Sequence, residues 1–174
     1  MPMNTDILSK TILIVTAFLV AACSQEPPAT PQEPAAAAAE PAAANVLPPH
    51  QQMARDFLKE LIEIDTTDSS GDNTAAAQAM ADRLLAAGFP AQDVQVLESV
   101  PRKGNLVARL RGRDTGRKPL LLLAHIDVVE ADPADWTLPP FEFIEQDGYF
   151  YGRGTTDDKD EAAIHVANLI RMKQ

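Results

Sequence analysis

The sequence predicts an α/β domain, helices laid on a sheet, confined to the chain from Gln51 onward, and three observations carry that reading. Between Gln51 and Gly88 the apolar residues Met53, Phe57, Leu58, Leu61 and Ile62, then Met80, Leu84 and Leu85, recur at the three- and four-residue intervals of helices with one buried face. From Val94 the pattern changes to short β-type runs, "VQVLE" and "NLVARLRG". "KPLLLLAHIDVV" then runs apolar almost without a break, as a strand buried on both faces of an α/β layer does, and a last helical stretch opens near Asp157.

In chain order, residues 1–23 read as an export signal. Lys10 precedes the apolar run "TILIVTAFLVAA", and small residues lead into Cys23, the only cysteine of the 174 residues. A run of 12 residues is too short to cross a bilayer as a helix. "VAAC" resembles the lipobox of bacterial lipoproteins, which makes Cys23 a lipidation site; the alternative is a plain secretory signal with a chance cysteine. Lipidation places the chain on the periplasmic side of a bacterial envelope, with Ser24 after the cysteine leaning toward the outer membrane. Without it the chain is soluble in the periplasm.

Residues 24–50 are rich in proline and alanine and poor in large apolar side chains, so they cannot offset the entropy of folding and read as a disordered tether. Residues 51–174 hold everything from which a core can be built. The first helix stops at "DTTDSSGDN", a dense loop signal, and the second is expected to start with Thr74 as its N-cap and end at Gly88. "DPADWTLPP" reads as loop, and "FEFIEQDGYFYGRG" as a hairpin around Gln146, Asp147 and Gly148. A formal net charge of -10 argues against nucleic acid and against anionic membrane surfaces, both of which require basic patches; membrane contact is expected through the lipid alone.

Two features carry chemistry. His125 and Asp127 stand two apart at the end of the apolar run, so in a strand they share one face at the sheet edge where open α/β sheets take ligands. A neutral imidazole there binds a divalent metal through one nitrogen while a carboxylate takes the N–H of the other. The plainer reading is a hydrogen-bonded pair closing a strand. The second feature is "GRGTTDDKDE", where Gly152 and Gly154 permit a kink that aims Asp157 into a cleft. Its plainer reading is the acidic first turn that a helix dipole favours. Neither His50, in the tether, nor His165, well inside the last helix, is a good further ligand.

From about Met53 to the end, the ordered set "IEIDTTDSSGDN", "AGFP", "NLVARLRG", "LLLLAHIDVV", "DWTLPPFEF" and "GYFYGRGTTDDKD" resembles the M20 metallopeptidases, relatives of glutamate carboxypeptidases, aminoacylases and succinyl-diaminopimelate desuccinylases. The resemblance implies the first part of a zinc-exopeptidase-like catalytic domain, with helices on a mixed, largely parallel sheet. It also implies a site of two zinc ions (Zn2+), or other divalent ions such as Co2+. His125 matches a metal ligand, Asp157 the carboxylate that bridges the metals, and Asp127 the catalytic-site aspartate that orients the histidine. Asp158 and Lys159 match the next two positions, whereas Asp160 stands where a small residue is common.

The family's Glu-Glu pair, which supplies the general base and a ligand, finds no match after Asp157. Its smaller lid domain, used for substrate contacts and often for homodimers, finds none either. The expectation is therefore the N-terminal portion of an exported hydrolase of peptides or N-acyl amino acids, inactive as the 174 residues alone. The alternative is a non-catalytic lipoprotein with a metal- or peptide-binding module.

Overall fold

The computed structural model describes residues 46–114 and 116–174. The export signal with Cys23, and the tether up to residue 45, lie outside the described residues. The first helix, α1 (Pro49–Ile62), follows Pro48 at its N-cap and carries a proline in its first turn, where a missing N–H costs nothing. It therefore begins two residues inside the stretch assigned to the tether, and His50 lies in its first turn. Its inward face is the expected one, Phe57, Leu58, Leu61 and Ile62.

Asp72, not Thr74, caps the second helix, α2 (Asn73–Ala86): its carboxylate accepts the Ala75 N–H at 2.9 Å. Thr74 is otherwise engaged. Its hydroxyl accepts the Gly104 N–H at 2.8 Å and donates to Glu98 at 2.6 Å, tying the helix to the strands that follow. After Ala87, Gly88 takes φ +81° and ends the helix as expected.

Those strands, β1 (Val94–Glu98) and β2 (Gly104–Ala108), pair antiparallel with Val94 opposite Ala108 and Glu98 opposite Gly104. A second antiparallel pair, β3 (Ile144–Gln146) and β4 (Tyr149–Tyr151), is the expected hairpin. Asp147 and Gly148 turn it with φ of 54° and 81°, the left-handed pair that a two-residue hairpin loop requires. The chain ends in α3 (Lys159–Lys173). Leu61 and Ile62 of α1, Met80 and Leu84 of α2, Phe89, Val94, and Ala163, Val166 and Ile170 of α3 form one core. Full burial of a large aliphatic side chain such as Leu61 or Leu84 stabilises by about 1.5–3 kcal/mol.

The mixture of helix and strand agrees with the sequence reading, but the sheet does not. Both strand pairs are antiparallel and separate, so no parallel pairing occurs among the described residues. "KPLLLLAHIDVV" is not a strand: Leu120 is 84% exposed and Leu123 72%, and Val128 alone in the run is buried. The physical reason is the lack of a neighbour, since a strand exists only through its ladder and no described strand runs beside this segment. Its far end is held differently. The Thr66 hydroxyl donates to the Ile126 carbonyl at 2.6 Å, and the Val128 N–H donates to the Thr66 carbonyl at 3.2 Å.

The side chain that joins α1 to α3 is charged. Lys159 has no exposed surface, and its ammonium donates to the carbonyls of Leu61 at 2.7 Å and Ile64 at 2.8 Å, satisfying acceptors that the end of α1 leaves open. Burial lowers its pKa to about 8, partly opposed by the Asp65 carboxylate. Asp65 itself lies below the usual carboxylate range. Burial pushes it up, but hydrogen bonds from the Thr67 backbone and from the Thr67 and Ser70 side chains outweigh that, with Lys159 adding its charge.

The lysine gives a pH signature. Below about pH 8 the ammonium is protonated in both the folded and the unfolded chain; between about 8 and the ordinary 10.5 the unfolded chain binds the extra proton. Stability therefore rises with pH across that window, by up to about 3 kcal/mol for this one group. Urea denaturation of the parent and of Lys159→Met at pH 7.5, 9 and 10.5 checks this. The stability of the parent relative to that of the variant is expected to rise with pH, and parallel behaviour contradicts it.

Candidate metal centre

The site begins with two glycines. Gly152 takes φ +152° and Gly154 φ +96°, and each touches the core where a side chain would stand. A Cβ on Gly152 would lie 2.6 Å from Cγ2 of Ile62; one on Gly154 would lie 2.9 Å from Cδ of Lys159 and 3.0 Å from Cγ1 of Val128. Only glycine lets the turn settle this deeply between α1 and the buried lysine stem. The turn then delivers two adjacent aspartates, joined by a cis peptide bond, to His125.

Both aspartates grip that histidine. Its Nε2 lies 2.8 Å from Oδ1 of Asp157, and its backbone N–H donates to Oδ2 of Asp158 at 3.2 Å. On the other side of the ring, Nδ1 lies 3.1 Å from the Asp127 carbonyl oxygen and 3.5 Å from that residue's carboxylate. The sequence-predicted trio is thus brought together, with one difference: the nearer partner that orients the ring is the backbone of Asp127, not its carboxylate. Outside a strand, residues 125 and 127 are not forced onto one face, and the chain curls so that the carbonyl reaches the ring.

With acceptors at both nitrogens, the ring favours its charged form. Burial opposes this, but hydrogen bonds to the Asp127 carbonyl and the Asp157 carboxylate, together with the charges of both aspartates, raise the His125 pKa above 6.5. If Nδ1–H is donated to Asp127, a neutral ring turns its Nε2 lone pair toward a carboxylate oxygen, and the two repel unless a cation lies between them. A proton meets that need, and a divalent metal is the other cation that imidazole and carboxylate take together.

The residues present therefore fit a metal by type, with the carbonyl on Nδ1 in the usual supporting role. They do not complete a site: no group of three or more His, Cys, Asp or Glu side chains converges on one point among the described residues. His125 and Asp157 are two ligands of the four that a tetrahedral zinc takes.

The pair stands in a cleft of about 340 Å³, shared with Trp136, Tyr151 and Arg153. His165 is elsewhere, its Nε2 lying 3.3 Å from the Leu123 carbonyl, and His50 is on α1; neither joins the centre. The sequence reading matched Lys159 by resemblance but missed its burial, and it missed the parts played by Thr66 and Arg153. Thr66 and Lys159 are fully buried inside segments that read as solvated loop and acidic turn, and no periodic signal marks a single buried residue. Arg153 lies over the Trp136 ring at 4.8 Å, a contact between two segments 17 residues apart that only the fold reveals.

Comparison with known proteins relates the chain to a hydrolase family. Residues 121–174 match the model of peptidase family M20/M25/M40. The chain is 36% identical over 125 residues to the human N-fatty-acyl-amino acid synthase/hydrolase PM20D1, an alignment covering 69% of this chain and 25% of that protein. It is 40% identical over 83 residues to a probable succinyl-diaminopimelate desuccinylase of Staphylococcus epidermidis, covering 47% of this chain and 20% of the other. In structure it resembles human carnosine dipeptidase 1 with a TM-score of 0.53 at 24% identity, over 72% of this chain and 30% of that one, a likeness of fold. The chain thus spans a quarter or less of the length of the curated relatives it matches.

The histidine gives the check. In an NMR titration, His125 is expected to have its midpoint above 6.5, and Asp157→Asn is expected to lower it by removing both a hydrogen-bond acceptor and a charge. An unmoved midpoint in the variant contradicts the pairing of the two side chains.

Proposed function

Because residues 121–174 belong to peptidase family M20/M25/M40, we propose that this chain supplies one wall of a metal-dependent hydrolase site for amide bonds in peptides or N-acyl amino acids. The observation that carries the reading is the 2.8 Å approach of His125 Nε2 to Asp157 Oδ1 at the rim of a cleft. The printed names of two relatives, an N-fatty-acyl-amino acid synthase/hydrolase and a desuccinylase, support N-acyl amino acids as the substrate class. Zinc is the metal this donor set suits first, with Co2+ an effective substitute. Such an ion polarises a carbonyl and lowers the pKa of water.

The chain's own residues have distinct tasks. His125 and Asp157 would hold the ion, which would supply the Lewis-acid chemistry of the site. Asp127 takes the proton of Nδ1 through its carbonyl, which fixes the tautomer and turns the Nε2 lone pair outward. Asp158 holds the histidine backbone. Val128 and Trp136 line the cleft with apolar surface that limits water. No Glu-Glu pair follows Asp157 in the 174 residues, so a general base of that kind is not among them, and these residues alone are proposed not to turn over substrate. Export, with Cys23 lipidated and the domain held at the envelope by its tether, is proposed from residues 1–50.

Metal binding is the test. Isothermal titration of the chain with Zn2+, and visible absorption with Co2+, are expected to report binding that His125→Ala and Asp157→Asn each weaken by at least about tenfold. The same zinc addition is expected to shift the His125 ring resonances and leave those of His50 and His165 in place. Binding indifferent to both substitutions refutes the assignment. A separate assay for amine released from N-acetyl-leucine is expected to stay at background with zinc present, and metal-dependent turnover refutes the proposal that the 174 residues are inactive alone.

A further inference from the structure

Thr66 has no exposed surface, although it belongs to a loop made of polar residues. Its hydroxyl donates to the Ile126 carbonyl at 2.6 Å and its carbonyl accepts the Val128 N–H at 3.2 Å, so one residue grips the chain on both sides of Asp127. The two bonds fall on the two peptide units that flank that aspartate. A trans peptide is planar and points its N–H and its C=O in opposite directions. Holding the Val128 N–H toward Thr66 therefore turns the Asp127 carbonyl the other way, and that carbonyl lies 3.1 Å from Nδ1 of His125.

Thr66 is itself held. The Asp65 carboxylate accepts the Thr67 N–H at 2.9 Å and the Ser70 hydroxyl at 3.1 Å, and the Asp65 carbonyl accepts the Asp72 N–H at 2.8 Å. Gly71 closes the loop too tightly for a side chain: a Cβ there would stand 2.5 Å from the Thr66 carbonyl carbon and 2.6 Å from its Cα. On one side of Thr66, Ile64 supplies a carbonyl to the Lys159 ammonium at 2.8 Å. On the other, Ser69 holds the Glu130 carboxylate, its N–H donating at 3.0 Å and its hydroxyl at 2.9 Å. The loop thus touches both halves of the candidate centre, the lysine beside the Asp157 turn and the segment that carries His125.

We propose that Thr66 is a positioning residue of the metal centre: with its loop it pins the peptide units around Asp127, aims the carbonyl that orients His125, and so sets how far the ring stands from Asp157. It touches neither the ring nor an ion and acts through the backbone. This rests on the metal-dependent reading above and deepens it. Ligands on two separate segments bind a cation well only when their spacing is fixed beforehand, because ordering them is otherwise a cost of binding.

Two substitutions separate the hydroxyl from the space it fills. Thr66→Val keeps the shape and leaves the Ile126 carbonyl without its donor, whereas Thr66→Ser keeps the donor and loses a methyl group. Each variant is titrated with Co2+ by visible absorption under conditions in which circular dichroism and urea denaturation show it folded. Thr66→Val is expected to bind Co2+ about tenfold more weakly than the parent, the effect of removing the support behind a ligand, and Thr66→Ser to bind close to the parent. In EDTA, without metal, the nuclear Overhauser contact between the His125 ring and the Asp157 β-protons is expected in the parent and in Thr66→Ser and lost in Thr66→Val.

A Thr66→Val protein that is less stable yet keeps either the Co2+ affinity or the ring contact of the parent makes Thr66 a structural residue only and overturns the proposal. So does a Thr66→Ser protein as impaired as Thr66→Val, or a parent without the ring contact. Should Thr66→Val fail to fold, Glu130→Ala removes the other hold of the same loop at an exposed position. It is expected to weaken Co2+ binding and the ring contact, and no change in either overturns the proposal. A parent that binds no Co2+ refutes the metal reading, and the ring contact in EDTA then decides the positioning role by itself.

Discussion

A single ammonium buried under the end of a helix is the constraint on which the rest of this structure depends. Lys159 closes the carbonyls of Leu61 and Ile64 and so fixes where α3 starts relative to where α1 stops. Asp157 lies two residues before it, and Gly154 packs on its stem, so the position of the lysine head sets the path of the acidic turn. A buried charge is costly, and here hydrogen bonds to two carbonyls and the field of Asp65 offset only part of the cost, so the pKa still falls to about 8. The helix pair and the candidate metal centre are therefore built around one side chain.

The other half of the centre is held by weaker means. His125 belongs to a segment with no strand partner among the described residues, its leucines open to solvent, and it is located only near its end, where Thr66 binds both Ile126 and Val128. The histidine thus hangs between a firmly seated turn and a loop. Three hydrogen-bonding contacts, from Asp157, Asp158 and the Asp127 carbonyl, hold it between them. In energetic terms the site is assembled by polar contacts on a scaffold whose apolar core lies to one side, among α1, α2 and α3.

Much of this was legible beforehand because it repeats. Helical periodicity located α1 and α2, and the Asp147-Gly148 pair announced a hairpin whose dihedral angles leave few other residues. The spacing of His125 and Asp127, and the two glycines before Asp157, marked candidates whose joint role only the family resemblance implied. What was not legible depends on single contacts. Thr74 had the chemistry of a cap, but Glu98 and Gly104 claim its hydroxyl, and Asp72 took the position. The leucine run had the composition of a buried strand, yet composition states only that a partner would be favourable, and no described strand provides one. Lys159 in an acid-rich turn reads as solvated, and nothing local tells that its head turns inward.

The buried lysine holds Asp157 against His125. The most direct measurement is the NMR titration of the His125 ring in Lys159→Met, with circular dichroism confirming that the helices are retained. If the lysine fixes the turn, the midpoint falls back toward 6.5 although both aspartates are still in the chain. A midpoint as high as that of the parent would mean that the turn holds its place without the lysine, and would contradict the account.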